Sequence, residues 1–177
     1  MPLNYNGVAM KKVNQNGAAL KKVNFNGVQV YTAEKTVATN LSVSTFNHVD
    51  YWAEGWGWYT KPTSTFNLSD WDSVTISYSI SASHSGGSAP NGTGFNLAVH
   101  LRLNDGTMVK VGTHWVTLYE NPGTKSVSGS KTLTISGYSS SQLSNCAVTI
   151  GIGDFYDPGG VHRGVDATLK VSKVFAF

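Results

Sequence analysis

Charge is scarce in this sequence. Lys and Arg number 13 and Asp and Glu 10, together 13% of 177 residues, whereas a duplex-binding surface carries a much larger basic footprint. Nucleic acid is therefore not expected as a partner. Cys146 is the single cysteine, which excludes an internal disulfide; within "CAVTIGIG" it reads as a small buried core residue. No run approaches the ~20 apolar residues that a membrane helix needs, so no membrane partner is expected. Asn6-Gly7 arrives where a secretory leader would place its charged and apolar blocks, so a classical leader is not expected.

Catalytic signatures are missing too. There is no G-x-S-x-G, and "GIGD" follows a strand without the helix a dinucleotide site requires. His48, His84, His100, His114 and His162 are scattered, with no pair at metal-ligand spacing, and His100 reads as a residue of an outer sheet face. Glycoside hydrolysis needs two carboxylates flanking the scissile bond; nothing in the spacing of Glu54, Glu120 and Asp154 selects such a pair. An enzyme is not expected.

What the chain does contain is Ser, Thr, Asn, Gly and Val in abundance, with few helix formers, the balance of an all-β protein with polar turns. Its net charge of +3 is unevenly spread. Lys11, Lys12, Lys21 and Lys22 lie in the first 31 residues with no acid among them, which leaves nine basic residues against ten acids in the remainder.

Those first 31 residues repeat one theme: "LNYNGVAM", "KKVNQNGAAL" and "KKVNFNGVQV" centre on Asn6-Gly7, Asn16-Gly17 and Asn26-Gly27. Asn-Gly favours a type I′ turn, because both residues tolerate the positive φ it needs. The turn fixes the pairing: Tyr5 opposite Val8, Asn4 opposite Ala9, Leu3 opposite Met10. Leu3, Tyr5, Val8 and Met10 then share a face, and the later copies repeat the scheme with Val13, Gln15, Ala18 and Leu20, and with Val23, Phe25, Val28 and Val30. The paired lysines read as solvated connectors between hairpins. A lone hairpin is marginal in water, so these faces need cover, either from the chain's own main domain or from other subunits. Tyr5, Val8, Leu20, Phe25, Val28 and Val30 are the candidate assembly residues.

The repeated form K-V-x-x-N-G-V-x-V resembles short tandem motifs at the ends of tail, fibre and baseplate proteins of bacteriophages. That resemblance implies a virion protein, a homo-oligomer (a trimer, by analogy with fibres) and other virion proteins as partners.

Residues 32 to 36, "TAEKT", read as a linker to a second unit at 37 to 177. There "VTISYSISA" alternates Val74, Ile76, Tyr78, Ile80 and Ala82 against hydroxyl residues. "NLAVHLRLNDGTMVKVG" is a hairpin turning at Asn104-Asp105-Gly106. "KTLTIS", "CAVTIGIG" and "ATLKVSKVFAF" add further strands, and "SSSQLSN" is the one helical hint. Without helices to separate parallel strands, the sheets are expected to be antiparallel. The expected fold is all-β: tandem hairpins followed by an antiparallel β-sandwich. "FNLSDWDSVTISYSI", "GYSSSQLSNCAVTIGIGD" and "ATLKVSKVFAF" are similar to the jelly rolls of carbohydrate-binding modules and galactose-binding-like domains, which implies sugar binding, protein contacts or a purely structural role.

Two stretches carry candidate chemistry. In "DYWAEGWGWYTKP", Trp52, Glu54, Trp56 and Trp58 share one parity, so an extended chain projects all four to one side. Aromatic planes stack on the C–H faces of sugars while a carboxylate accepts from hydroxyls; equally, such tryptophans can fill the space between sheets. In "GDFYDPGGVHRG", Tyr156 and Arg163 are candidate polar sugar contacts on a loop, and Asp154 with Asp157 could join backbone carbonyls around calcium. No other cofactor is indicated. The combined expectation is a bacteriophage virion structural protein, with hairpins for assembly and a sandwich facing a host cell-surface polysaccharide. The alternatives are a capsid-decorating or architectural protein without ligand, and a free carbohydrate-binding module or lectin.

Overall fold

A computed structural model describes the backbone over residues 4–5, 8–9, 14–15, 18–19, 22–25, 28–32, 35–49, 59–85, 94–117, 124–156 and 163–177, and the side chains over 35–44, 61–83, 94–117, 124–152 and 166–177. Six short strands come first: β1 (Asn4–Tyr5), β2 (Val8–Ala9), β3 (Asn14–Gln15), β4 (Ala18–Ala19), β5 (Lys22–Phe25) and β6 (Val28–Thr32). They form three separate two-stranded sheets, each pairing only the two arms of one Asn-Gly hairpin. Tyr5 lies opposite Val8 and Asn4 opposite Ala9, Gln15 opposite Ala18, and Phe25 opposite Val28, the register a two-residue turn imposes.

The third hairpin departs from the repeated scheme. Val23 pairs with Tyr31, while Asn24 pairs with Gln29, so Val30 is the extra residue of a bulge and does not face Val23. Lys22, expected in a connector, pairs with Thr32 inside the ladder. Strand β6 ends at Thr32 and β7 begins at Lys35, so of residues 32 to 36 only 33 and 34 lie between strands.

The remaining strands are β7 (Lys35–Val49), β8 (Tyr59–Pro62), β9 (Ser73–Ser85), β10 (Gly94–Arg102), β11 (Met108–Thr117), β12 (Thr124–Thr134), β13 (Ala147–Tyr156) and β14 (Arg163–Ala176), with α1 (Ser140–Leu143) before β13. They make two four-stranded sheets, β12-β9-β14-β7 and β11-β10-β13-β8, with every pairing antiparallel. Of the consecutive pairs from β7 to β14, only β10 and β11 share a sheet; every other connection crosses from one layer to the other. That is the double Greek key of a jelly roll.

The layers meet where alternation directs them. Val74, Ile76, Tyr78, Ile80 and Ala82 of β9 are all buried, as are Phe95, Leu97, Val99 and Leu101 of β10 and Val148, Ile150 and Ile152 of β13. Each large side chain fully withdrawn from water contributes about 1.5–3 kcal/mol. Cys146 is fully buried, bridges by backbone to Phe66, and donates its thiol to the Leu143 carbonyl at 3.5 Å. The other face of β9 shows Ser and Thr, cross-linked to β12 by Thr75–Thr132 at 2.8 Å and Ser77–Ser130 at 3.0 Å.

One end of the sandwich is closed by the β10–β11 turn and α1. Gly106 takes φ +90° in the turn, where a residue without Cβ is unstrained. Asp105 accepts from the Thr107 amide at 2.9 Å and from Gln142 Nε2 at 2.8 Å, and the Asn104 amide donates to the Gln142 carbonyl at 2.9 Å. Ser139 caps the helix in a capping box with Gln142, which satisfies amides that one turn of helix leaves unpaired.

Candidate functional site

The opposite end carries four of the six crossovers between layers. Val49 pairs with Arg163 and Gly164 with Ser85, while Thr124 pairs with Ser83, so these four strand ends of one sheet are level. In the other sheet Gly94 pairs with both Thr117 and Tyr156, and Tyr59 with Ile152. The connections 50–58, 86–93, 118–123 and 157–162 therefore all leave from this end, and each passes between layers. Antiparallel strand order alone dictates the clustering, which joins two stretches about a hundred residues apart in sequence.

Of the sequence-derived sugar residues, two are described and fall on this end. Tyr156 is the last residue of β13 and Arg163 the first of β14, on either side of one crossover. Asp154 lies within β13. Trp52, Glu54, Trp56, Trp58 and Asp157 lie outside the described residues, as does Leu20 of the assembly set. Among the described residues no three His, Cys, Asp or Glu side chains gather as a metal site, and no helix is long and apolar enough to cross a membrane.

Beside the crossover end, Trp115 stands on the outer face of the β11-β10-β13-β8 sheet with 47% of its surface exposed. Nothing in the sequence pattern singled it out. Its indole lies over Gly94 on the neighbouring strand: a Cβ at Gly94 would sit 2.6 Å from Cε2 and Cζ2 of the ring. Glycine is what lets the plane lie down on the sheet. A register shift puts Trp115 outside. Val99 and His100 are consecutive, yet they pair with Gly112 and Lys110, so Val111 is a bulge and every residue after it changes face.

The same shift turns His114 inward, where Tyr78 Oη lies 2.8 Å from its Nε2. His100, expected on an outer face, does point that way by register but is half-buried, and its Nδ1 is withdrawn from water with no hydrogen-bond partner. Burial, with the nearby Lys110 charge, holds its pKa below the ordinary imidazole value. Neutral imidazole is thus the form this position favours.

No family model and no curated protein matches the chain. Solved structures similar to this chain include three from viruses. A structure of infectious bursal disease virus, Gt strain, is 10% identical with a TM-score of 0.39, covering 98% of this chain and 41% of the other. A VP2 subviral particle of the same virus is 12% identical with a TM-score of 0.34, covering 99% and 44%. A nora virus structure is 14% identical with a TM-score of 0.34, covering 88% and 72%. The chain thus spans less than half the length of the first two.

The described side chains supply hydroxyls, amides, one exposed indole and few charges. Such a set suits recognition of a neutral polar ligand by stacking and hydrogen bonding.

Proposed function

We propose that this chain is a structural protein of a bacteriophage virion, in a tail, fibre or baseplate. Its hairpins serve assembly, and the crossover end of the jelly roll faces a host cell-surface polysaccharide. The work is binding, with no bond made or broken. The observation that carries the reading is the independence of the hairpins: six strands ahead of the sandwich pair only within their own Asn-Gly units and join neither sandwich sheet. Two-stranded ribbons of this length are marginal alone, so three in series are suited to complete one another between copies. Many weak sugar sites on one particle then add through effective concentration.

Sedimentation of the full chain tests the assembly. The expected species is an oligomer, a trimer of 18.9 kDa chains, which Phe25→Asp with Val28→Asp converts to folded monomer. A wild-type chain that sediments as a monomer at all concentrations rules the assembly out. For the ligand, Trp56→Ala with Trp58→Ala is expected to weaken binding to host-wall polysaccharide. Unchanged binding by the folded variant would remove Trp56 and Trp58 from the ligand contact, and no binding by the wild type would leave an architectural protein without this ligand.

A further inference from the structure

The geometry points to Trp115 as a stacking platform for an uncharged pyranose, on the outer face of the β11-β10-β13-β8 sheet beside the crossovers. The inference rests on the reading of that end as glycan-facing, and it adds a binding residue outside the loops.

Preorganisation is the first argument. The indole is laid against Gly94, where any other residue would force its Cβ into the ring and onto the Val116 carbonyl. One side of the plane is therefore occupied by backbone while 47% of the side chain stays in water. A ring already fixed loses little conformational freedom on binding. It presents a π-face to which polarised C–H groups are attracted.

The surroundings favour a sugar over a protein partner. Thr113 and Thr117, both exposed, flank Trp115 on the same face of β11, and Asn96 lies directly opposite it in the ladder. Among the described residues polar groups thus flank an apolar plane, which matches a pyranose with a C–H face and a rim of hydroxyls. Met108 is the other exposed large hydrophobic among the described residues; seven residues along the strand, it stands roughly 24 Å away at about 3.4 Å per residue. Among the described residues Trp115 therefore belongs to no continuous apolar patch of the kind a stable protein interface buries at its centre. The nearest charged residue on this face of β11 is Lys110, across the bulge, so the site favours a neutral ligand.

Position supplies the last argument. Trp115 is two residues from the end of β11, and Gly94 beneath it pairs with Thr117 and Tyr156, the last residues of β11 and β13. A saccharide chain bound at this end of the sandwich can continue onto the sheet at this point.

The test uses the full chain on an array of unmodified gluco-, galacto- and N-acetylglucosamine oligosaccharides. Wild type is expected to bind at least one class. Trp115→Ala is expected to weaken that binding at least about tenfold, equivalent to 1.4 kcal/mol, with an unchanged thermal midpoint. Trp115→Tyr, which keeps a smaller plane, is expected to fall between the two. Should Trp115→Ala not fold, Trp115→Gln offers a polar strand residue with the same expected loss. Loss in the Trp115 variants with full binding by Trp56→Ala and Trp58→Ala supports the platform and removes the loop tryptophans from the glycan site. The reverse pattern overturns the platform and keeps the loop. A wild type that binds no pyranoside overturns both.

Discussion

Tyr78 Oη lies 2.8 Å from His114 Nε2, and this hydrogen bond spans the two layers of the sandwich. Tyr78 rises from β9 in one sheet and is 5% exposed. His114 hangs from the edge strand β11 of the other sheet, its ring edge-on to the phenol at 5.8 Å between centroids. The phenol fits because two strands carry glycine where it passes: a Cβ at Gly112 would fall on Tyr78 Oη, and one at Gly129 would lie 2.6 Å from Oη and 2.7 Å from Cζ. Burial raises the Tyr78 pKa above its ordinary value, so the phenol stays neutral while it links the layers.

Gly112→Ala is expected to destabilise the fold by about 1–3 kcal/mol, the usual cost of overpacking, measured as a shift in the urea midpoint at constant slope. Its clash is with the hydroxyl alone at close range. In the Tyr78→Phe background Gly112→Ala should therefore cost markedly less, and a double-mutant cycle reads the difference. Additive costs would contradict the placement of the hydroxyl.

Gly129→Ala has no such rescue. Its Cβ would meet Cζ and Cε1 of the ring as well as the oxygen, so removing the hydroxyl leaves the collision in place. Equal penalties in the wild-type and Tyr78→Phe backgrounds are the expected result, again from urea midpoints.

His100 predicts an acid-side loss of stability. Its folded pKa lies below the ordinary 6.5, through burial first and the Lys110 charge second. Below about pH 6.5 the unfolded chain takes up a proton that the folded chain refuses, so stability falls as pH drops through that value and levels off below the folded pKa. His100→Gln removes this portion of the slope. Asp105 acts in a lower window: its carboxyl is held below its usual value by the Thr107 amide first and Gln142 second, so its contribution is present above about pH 4 and fades on further acidification. Denaturation midpoints from pH 7.5 to 3 separate the two groups.

Gln142→Ala is expected to raise the Asp105 pKa toward its ordinary value, since Nε2 donates to Oδ2 at 2.8 Å. It also removes the return bond of the capping box to Ser139. An NMR titration of the Asp105 carboxyl follows the first effect; local amide exchange in residues 139–144 follows the second.

Burial first, with the Asp105 charge second, pushes the Cys146 thiol up to about 11. At pH 8 almost none of it is thiolate, the reactive form, and the sulfur is fully covered. Native protein is expected not to react with a disulfide reagent on the timescale in which urea-unfolded protein reacts completely. Rapid labelling of the native form would place the thiol elsewhere.

The strands themselves were legible in the residues. The alternation of Val74, Ile76, Tyr78, Ile80 and Ala82 and the Asn104-Asp105-Gly106 turn reappear in the fold, because period-two burial and turn chemistry act over a few neighbours. Three Asn-Gly pairs dictated the hairpin registers at Tyr5–Val8, Gln15–Ala18 and Phe25–Val28 for the same reason. The site was less legible. Tyr156 and Arg163 could be named as loop-end residues, but their sharing of an end with the 50–58 crossover follows from strand order, which no local pattern encodes.

What the sequence determined by itself is the class: hairpins where Asn-Gly stands, strands where apolar and hydroxyl residues alternate, and a thiol in the core. The tertiary structure alone decided which way single residues face across an irregularity. Strict alternation from Val109 and Val111 would send Trp115 into the core and His114 into water. The bulge opposite Val99 and His100 reverses both, seating His114 against Tyr78 and Trp115 on Gly94. The reason is physical: a bulge is stabilised by the partner strand and the space beneath it, and neither is present in the ten residues of β11.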